Sequence, residues 1–553
     1  MCPCRTLLPR QPAAYSPLRQ MEAGRRAMTR IDAATLRGWI ADGRELALLD
    51  AREEGEFATS HLFWAVPCPL SRREIRARAL LPRLSTRIVC VDAGHGLAER
   101  LAGWLEAIGA TGVAVLDGGT RAWTAAGYPL FAGVNVPSRT FGGWVAQHYG
   151  TESVEAAALK AWLVGGRDVA VLDSRTYDEF HRMSIPTSIS VPGGELAYRI
   201  ADLVPDPATL IVVTSAGRTR CILGAESLRR AGVPNRVMAL RDGTIGWELA
   251  GLKLAHGRTE RFSPGPPASA GLALQRARAF ADSCGVTVIG PDELRRIEAD
   301  AARTCYVLDV RDPAEFAAGH RPGSVPAPGG QLVQATDGWI GVRNARLALL
   351  DDDGVRARMT AAWLRQMGHR EVFVVDGGLE AVTAPGSGPA AIPEPGGKAE
   401  TIGADTLAAA ADAMVVDLAP SIAFREGHIT GAMWGVRTRL EALRDKLALA
   451  RLVVLTSPDG GLARLAVAEA KTLTRAPVRV LEGGTAAWIR AGYGLRHDRT
   501  TPPDDACIDV CLRPYDRNSG VEAAMRDYLS GETDLLQAIE REGTVAFGVP
   551  AAA

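Results

Sequence analysis

The chain of 553 residues carries one three-part pattern four times, always in the same order. The first part is an apolar segment that ends in an aspartate, followed by an arginine two residues later and then by a Glu-Phe pair. It occurs at Asp50, Arg52 and Glu56-Phe57, at Asp173, Arg175 and Glu179-Phe180, and at Asp309, Arg311 and Glu315-Phe316. The fourth repeat keeps Asp417 and Phe424, but Ala419 and Ala423 replace the arginine and the glutamate. Repeats of this length predict a tandem array of one domain type.

The second and third parts of the pattern complete each repeat. The second is a β-branched strand, a short polar loop and a helix rich in alanine, leucine and arginine, found at 87–105, 210–231, 347–367 and 452–473. The third is another apolar strand followed by an acidic-glycine turn and, in three repeats, a tryptophan. It occurs at Asp117-Gly118-Gly119 with Trp123, Asp242-Gly243 with Trp247, Asp376-Gly377-Gly378, and Glu482-Gly483-Gly484 with Trp488.

Short apolar strands that alternate with helices predict an α/β fold of four tandem domains, each a mostly parallel sheet flanked by helices on both faces. Right-handed crossovers place the strand-to-helix loops at the carboxyl edge of the sheet, where such folds bind ligands. The predicted organisation is an unstructured extension at 1–29, domains at 30–132, 150–257, 285–385 and 400–497, a linker at 258–284, and a docking tail at 498–553. A second linker is predicted from Ala384 to Gly397, and a tail helix roughly from Gly520 to Glu542.

Composition narrows the class of protein. The formal net charge is zero, so we expect neither a nucleic-acid nor a membrane partner, and no apolar run approaches the ~20 residues of a membrane span. The nine cysteines are scattered without paired spacings, which favours free thiols in a reducing, cytoplasmic compartment. The sequence contains no phosphate-binding P-loop, dinucleotide fingerprint or zinc pattern, so we expect no cofactor and no metal.

The three-part pattern resembles that of the rhodanese (thiosulfate sulfurtransferase) superfamily across nearly all of residues 30–497. Four such units followed by Arg513-Pro514-Tyr515-Asp516 are similar to the bacterial four-domain tandem rhodanese proteins. The resemblance implies that a cysteine at the head of the second-part loop takes a sulfane sulfur from thiosulfate or a similar donor as a persulfide. It then passes the sulfur to cyanide or a thiol acceptor. Such a nucleophile must be a thiolate, and backbone amides, a helix N-terminus and arginines stabilise it and its anionic donor.

Three of the four loops lack both the nucleophile and the cations. Asp92 heads the loop of the first repeat, and three acids, Asp351-Asp352-Asp353, head that of the third. A carboxylate repels an anionic donor and cannot carry sulfane sulfur. The fourth loop begins Ser457-Pro458 and has no arginine before Arg464. We therefore interpret these three repeats as structural or docking domains, with Cys90, on the strand before the first loop, as a core thiol.

The second repeat is the exception. Its loop, Ser215-Ala216-Gly217-Arg218-Thr219-Arg220-Cys221, leads into a helix predicted from about Ile222, and is similar to the family's Cys-Ala-Gly-Arg-Thr-Arg-Ser loop. Ser215 occupies the position of the persulfide cysteine, and residues Ala216, Gly217, Arg218, Thr219 and Arg220 are the predicted anion-binding loop. A serine hydroxyl is scarcely ionised near neutral pH and cannot form a persulfide. Cys221, predicted at the helix cap, is the alternative thiol.

Several recurring residues are more simply explained by folding. His61, His320 and His428 follow the Glu-Phe pairs of three repeats, where the second repeat has Ser184, and recur beside loops without a nucleophile, which favours a stabilising hydrogen bond. The first-part arginines are predicted to pair with acids, and the tryptophans to pack helix against sheet. Cys507 and Cys511 lack nearby partners for a metal site.

Two functions remain open at this point. One is a rhodanese-type sulfurtransferase that works through the second domain and is impaired or inactive because Ser215 replaces the cysteine. The other is a non-catalytic protein whose second domain binds an anion or a persulfide, and whose remaining domains form a scaffold or bind a protein partner.

Overall fold

The structure, a computed structural model, describes residues 28–377, 379 and 399–549, without the side chains of 532–534. Most of the predicted N-terminal extension, Gly378 and the predicted linker from Ala384 to Gly397 lie outside the described residues. Residues 30–379 and 502–549 form one compact body, and residues 399–501 form another. Among the residues described, no helix has the length and apolar character needed to cross a membrane.

The first repeat forms a sheet with helices around it. Its strands are β1 (Arg30–Ile31), β2 (Leu46–Asp50), β3 (Val66–Pro67), β4 (Arg87–Val91) and β5 (Gly112–Leu116). Its helices are α1 (Ala33–Ala41), α2 (Glu54–Thr59), α3 (Arg73–Leu80), α4 (Leu97–Ala107) and α5 (Gly119–Ala125). A further helix, α6 (Val136–Tyr149), joins it to the second repeat in a stretch that no predicted domain includes.

The second repeat has the same order of elements. Its strands are β6 (Ser153–Val154), β7 (Val169–Asp173), β8 (Ile189–Ser190), β9 (Leu210–Thr214) and β10 (Val237–Leu240). Its helices are α7 (Ala156–Val164), α8 (Tyr177–Arg182), α9 (Leu196–Leu203), α10 (Thr219–Arg230) and α11 (Gly243–Leu249). The predicted linker at 258–284 contains a helix, α12 (Ala270–Ser283), whose buried residues include Phe280. The segment predicted as a linker thus contains a helix whose alanine-rich apolar face packs against the neighbouring helices α9 and α16 (Arg356–Gln366).

The third repeat contributes a strand to a neighbouring sheet. Its strands are β11 (Thr287–Ile289), β12 (Cys305–Asp309), β13 (Val325–Pro326), β14 (Val342–Arg343), β15 (Arg346–Leu350) and β16 (Val372–Val375). Its helices are α13 (Pro291–Ala299), α14 (Pro313–Ala318), α15 (Gly329–Gln334) and α16 (Arg356–Gln366). Strand β14 pairs antiparallel with β2 of the first repeat, Val342 opposite Ala47, and so joins the two repeats by backbone hydrogen bonds.

The fourth repeat and the tail complete the chain. The strands are β17 (Thr401–Ile402), β18 (Ala413–Asp417), β19 (Met433–Trp434), β20 (Leu452–Thr456) and β21 (Val478–Leu481). The helices are α17 (Ala404–Ala409), α18 (Ser421–Glu426), α19 (Arg444–Leu449), α20 (Gly461–Leu465), α21 (Val467–Lys471), α22 (Gly484–Arg490) and, in the tail, α23 (Val521–Glu542). On the buried side of α23, Leu535 packs with Phe63, Phe131 and Val136 of the first repeat and α6.

All four sheets share one strand order. In the second repeat the order is β6-β10-β9-β7-β8, and the pairs are parallel; the other repeats follow the same order, with β14 added to the first sheet. Buried strands such as β9, whose five residues are all buried, need helices on both faces. The predicted α/β fold of four tandem domains with mostly parallel sheets is confirmed.

The second and third repeats approach each other through equivalent Pro-Gly-Gly loops. A Cβ added to Gly330 would lie 2.7 Å from the backbone nitrogen of Gly194, so only glycine permits this approach. Beside it, the guanidinium of Arg356 in the third repeat forms an ion pair of 2.8 Å with Glu195 of the second. Trp363 also donates a hydrogen bond to the Ser227 hydroxyl across the interface.

Candidate active site in the second repeat

The loop of the second repeat leaves the carboxyl end of β9 and is braced by the start of α11. The Ser215 carbonyl accepts a hydrogen bond of 2.8 Å from the Thr244 amide, and the Ala216 carbonyl accepts one of 3.1 Å from Ile245. Gly243 permits the contact, because a Cβ there would lie 2.1 Å from the Ser215 oxygen, and its φ is +55°. Backbone hydrogen bonds from the start of α11 therefore fix the position of the loop.

Ser215, which the sequence predicts at the position of the family's cysteine, is 1% exposed. Its hydroxyl donates a hydrogen bond of 2.9 Å to the Gly217 carbonyl within the loop. The hydroxyl is thus a neutral donor that closes the loop on itself.

Cys221 lies on the buried side of the loop. The structure begins α10 at Thr219, so Cys221 is the third helical residue and not the cap residue that the sequence predicted. Its Sγ contacts three carbonyl oxygens, those of Arg218 at 2.9 Å, Gly217 at 3.2 Å and Leu240 at 3.3 Å, and the residue is 1% exposed. Carbonyl oxygens accept the S–H proton and repel a negative sulfur, so this environment suits a thiol that fills space.

Arg220, which the sequence predicts as part of the anion-binding loop, is engaged by an acid of its own repeat. Its guanidinium forms a two-point ion pair with Glu179, with distances of 2.7 and 2.8 Å. Arg513 of the tail contacts the same carboxylate at 3.3 Å. Although burial raises the pKa of Glu179, the Arg220 and Arg513 charges lower it well below its usual range. The positive charge of Arg220 is therefore already neutralised inside the protein.

Arg218 is the loop arginine that faces solvent. It is the residue before α10, its side chain is 36% exposed, and its Nε lies 3.8 Å from the Asp242 carboxylate. Arg218 and Thr219 also line a cavity of about 330 Å³ beside the loop. Of the two arginines predicted to bind an anion, this one has the exposure that a ligand requires.

Asp242 belongs to the site, although the sequence assigned it only to the acidic-glycine turn. It precedes α11 with φ +60°, in the left-handed region, where the first and fourth repeats have Gly118 and Gly483. The acidic-glycine turn of the second repeat is therefore shifted by one residue, which brings a carboxylate beside Arg218. Burial raises the pKa of Asp242, with Arg218 opposing the effect.

The first repeat fills its own anion site. The two carboxylate oxygens of Asp92 accept hydrogen bonds from four backbone amides of its loop: Gly94 at 2.7 Å, Leu97 at 2.8 Å, His95 at 3.1 Å and Ala98 at 3.4 Å. A bound oxyanion would use the same donors, because successive amides at a helix N-terminus form an anion site. Asp92 therefore acts as an internal ligand.

In the third and fourth repeats, side chains of the loop also accept hydrogen bonds from nearby backbone amides. Asp351 accepts the Ala357 amide at 2.9 Å, and Asp353 accepts those of Val355 and Arg356. Burial and the Asp353 carboxylate raise the pKa of Asp351 well above its usual value. In the fourth repeat the Ser457 hydroxyl accepts the Ala463 amide at 3.3 Å.

The recurring residues of the first part hold the edge of the sheet. Arg52, Arg175 and Arg311 pair with the aspartates two residues before them and donate to a carbonyl at the end of the next helix. His61, His320 and His428 stack on the preceding phenylalanines with ring centroids 3.8–3.9 Å apart. Burial lowers the pKa of His61 to about 4, so this ring is neutral near pH 7. These contacts agree with a stabilising role.

Three further cysteines of the described residues lie in the core or in tail contacts. Cys90 is fully buried, and burial raises the pKa of its thiol well above the usual value. Cys507 is buried with its Sγ 3.4 Å from the Pro503 carbonyl, and Cys511 donates its amide to Glu54. Within the described part of the chain, no group of three or more acidic, histidine or cysteine side chains is placed to hold a metal ion.

Comparison with known proteins agrees with this architecture. The rhodanese-like domain family matches residues 32–126, 155–250 and 291–385. A solved structure, thiosulfate sulfurtransferase from Pseudomonas aeruginosa, is 43% identical and superposes with a TM-score of 0.89, covering 94% of this chain and 100% of that one. A helix-turn-helix-type transcriptional regulator of Mycobacterium tuberculosis is 33% identical over 109 residues, and the match spans 19% of this chain and less than half, 47%, of the regulator. With more than half of its residues matched by the family, the chain belongs to the rhodanese-like domain family.

Proposed function

We propose that this rhodanese-family protein binds a small sulfur oxyanion, such as thiosulfate, in the loop from Ser215 to Cys221 without carrying sulfur there as a persulfide. One observation supports it most directly: Asp92 and Asp351 turn their carboxylates onto the amides of their own loops, whereas the Ser215 hydroxyl donates to a carbonyl. The second repeat thus differs from its neighbours at the position where the anion binds.

Electrostatics favour the same repeat. An exposed arginine, Arg218, stands at the start of the twelve-residue helix α10, and both the guanidinium and the helix dipole attract an anion. The acids of the first and third loops repel one. We infer that the other three repeats are scaffold or partner-binding domains, and that the protein acts in the cytoplasm.

Sulfur transfer requires an atom that Ser215 lacks. A thiolate attacks the outer sulfur of thiosulfate, the S–S bond breaks, sulfite leaves, and a persulfide remains on the protein; cyanide then removes the outer sulfur as thiocyanate and restores the thiolate. A hydroxyl with an ordinary pKa does not take the first step near neutral pH. Cys221 is buried with its Sγ against three carbonyls, so it does not offer the substitute.

The matching experiment compares two serine-to-cysteine variants, S215C and S457C. Each puts a thiol at the head of a loop, but only the second-repeat loop has Arg218. We expect thiocyanate formation from thiosulfate and cyanide to appear in S215C and to be absent from S457C and the native protein. Equal activity in native protein and S215C would contradict the proposal.

A second candidate is thiosulfate sulfurtransferase activity with cyanide or a thiol as the sulfur acceptor. The similarity to the thiosulfate sulfurtransferase from Pseudomonas aeruginosa supports this candidate. In that case the native protein must convert thiosulfate, and Cys221 must carry the transferred sulfur. Activity of the native protein that is lost in C221S, with folding unchanged by circular dichroism, would establish this function instead.

A further inference from the structure

A cavity of about 330 Å³ adjoins the loop of the second repeat. Arg218, Thr219 and Ile222 form one wall, at the loop and the start of α10, and helix α6 forms another. Leu536 of the tail helix α23 completes the lining. Because liquid water occupies about 30 Å³ per molecule, the cavity has room for roughly ten waters, far more than one inorganic oxyanion needs. Ligand sites of proteins begin at about this size.

Two of the elements that line the cavity lie outside the family's matched segments. Helix α6 (Val136–Tyr149) lies between the matched stretches 32–126 and 155–250, and α23 (Val521–Glu542) follows the last of them. Both helices pack firmly: Leu536 approaches the Gly143 position, where an added Cβ would lie 3.5 Å from its side chain. Helices α6 and α23, together with the loop and α10, therefore line a cavity beside the loop.

The lining of the cavity combines two arginines with apolar side chains. On α6, the guanidinium of Arg139 lies over the Tyr528 ring at 5.0 Å, so α23 holds it in place. Arg218 supplies a second positive charge at the loop. The apolar side chains of Ala146, Ile222 and Leu536 line the same cavity. A lining that is both cationic and apolar fits an anion that carries a hydrocarbon body.

We propose that this cavity binds an organic anion, with its oxyanion group at Arg218 and the loop and its apolar body between α6, α10 and α23. The proposal rests on the function proposed above and extends it from inorganic thiosulfate to organic oxyanions such as alkyl or aryl sulfonates. The body of such a ligand buries its hydrocarbon against Ile222 and Leu536, which an inorganic anion cannot do.

Calorimetric titration of the full-length protein tests the proposal with sulfate, methanesulfonate and benzenesulfonate. Burial of the phenyl ring removes apolar surface from water, so we expect benzenesulfonate to bind at least about tenfold more tightly than methanesulfonate. The variant A146L fills the cavity and should remove this advantage. A157L, the same substitution at an exposed position of α7, is the control and should change nothing.

The outcomes separate the two proposals. Sulfate binding that depends on Arg218, with equal affinities for the two sulfonates, would overturn the cavity proposal and leave the anion-binding function intact. Tight benzenesulfonate binding that A146L does not weaken would place the ligand elsewhere and would also overturn it. Anion binding that R218A does not weaken would overturn the proposed function itself.

Discussion

Glu179 and Arg220 form a two-point ion pair that joins the start of α8 to the start of α10, with N–O distances of 2.7 and 2.8 Å. Glu179 is also the third residue of α8, where it caps the helix together with Thr176. One glutamate of the recurring Glu-Phe pair therefore caps a helix and is bound to the arginine that precedes Cys221. Glu315 and Arg356 repeat the pairing in the third repeat.

The variant E179Q should destabilise the second repeat by about 2–3 kcal/mol, because it leaves the buried Arg220 without its partner. The control is E315Q, which should cost less, since Arg356 also pairs with Glu195, Asp352 and Asp353. Hydrogen exchange of the α8 and α10 amides measures the local stability. Equal losses in the two variants would contradict the assigned role of the pairing.

The fold follows from local patterns, whereas part of the site depends on distant contacts. Apolar strands and helices of regular spacing predicted the four sheets because each repeat buries its own strands. Strand β14 had no such signal, since Val342–Arg343 is a two-residue strand whose partner lies about 300 residues earlier. Its antiparallel addition to the first sheet depends on packing between repeats, which the sequence of one repeat does not encode.

The sequence indicated the residues of the second-repeat loop but not all of their contacts. That Ser215 replaces a cysteine stays a prediction from the sequence, which also counted Arg220 as an anion ligand without indicating its ion pair with Glu179. The glutamate and this arginine occur together in the second and third repeats and are both lost in the fourth, at Ala423 and Leu462. The first repeat keeps Glu56 with Leu97 at the arginine's position, so the signal of their contact was incomplete. The left-handed φ of Asp242 carried no comparable signal, because aspartate is common in turns.

The variant D242G should raise both the stability and the anion affinity of the second repeat. Glycine removes the cost of a left-handed φ, about 1 kcal/mol, and takes a carboxylate away from Arg218. We expect sulfate to bind several-fold more tightly, by calorimetry at low salt. The reverse change in the fourth repeat, G483D, should lower its stability. Unchanged sulfate affinity in D242G would show that Asp242 does not oppose the ligand.

Asp417 should make the fourth repeat less stable as the pH rises. Burial raises its pKa to about 6, since Ala419 stands where the other repeats have the pairing arginine. A folded pKa above the usual value of about 3.9 means that the folded state binds the proton more tightly, so stability is lost between pH 4 and 6. D417N should therefore stabilise this repeat at pH 7 and remove the pH dependence. Asp309 is the control, because it pairs with Arg311: D309N should destabilise the third repeat. Hydrogen exchange at pH 4.5 and 7 measures the local stability and shows whether each variant raises or lowers it.

Removal of the internal ligand of the first repeat should open its anion site. In D92A, four loop amides lose their acceptor, and we expect a loss of about 2 kcal/mol. Sulfate should restore much of this loss by binding to the same amides, so the unfolding temperature of D92A should rise with sulfate more than that of the native protein. Matched sodium chloride controls for ionic strength. Asp92 accepts four hydrogen bonds and Ser457 accepts one, so S457A should lose less stability than D92A. Its unfolding temperature should rise little with sulfate. A sulfate response of D92A equal to that of the native protein would mean that the carboxylate caps the helix without standing in for an anion.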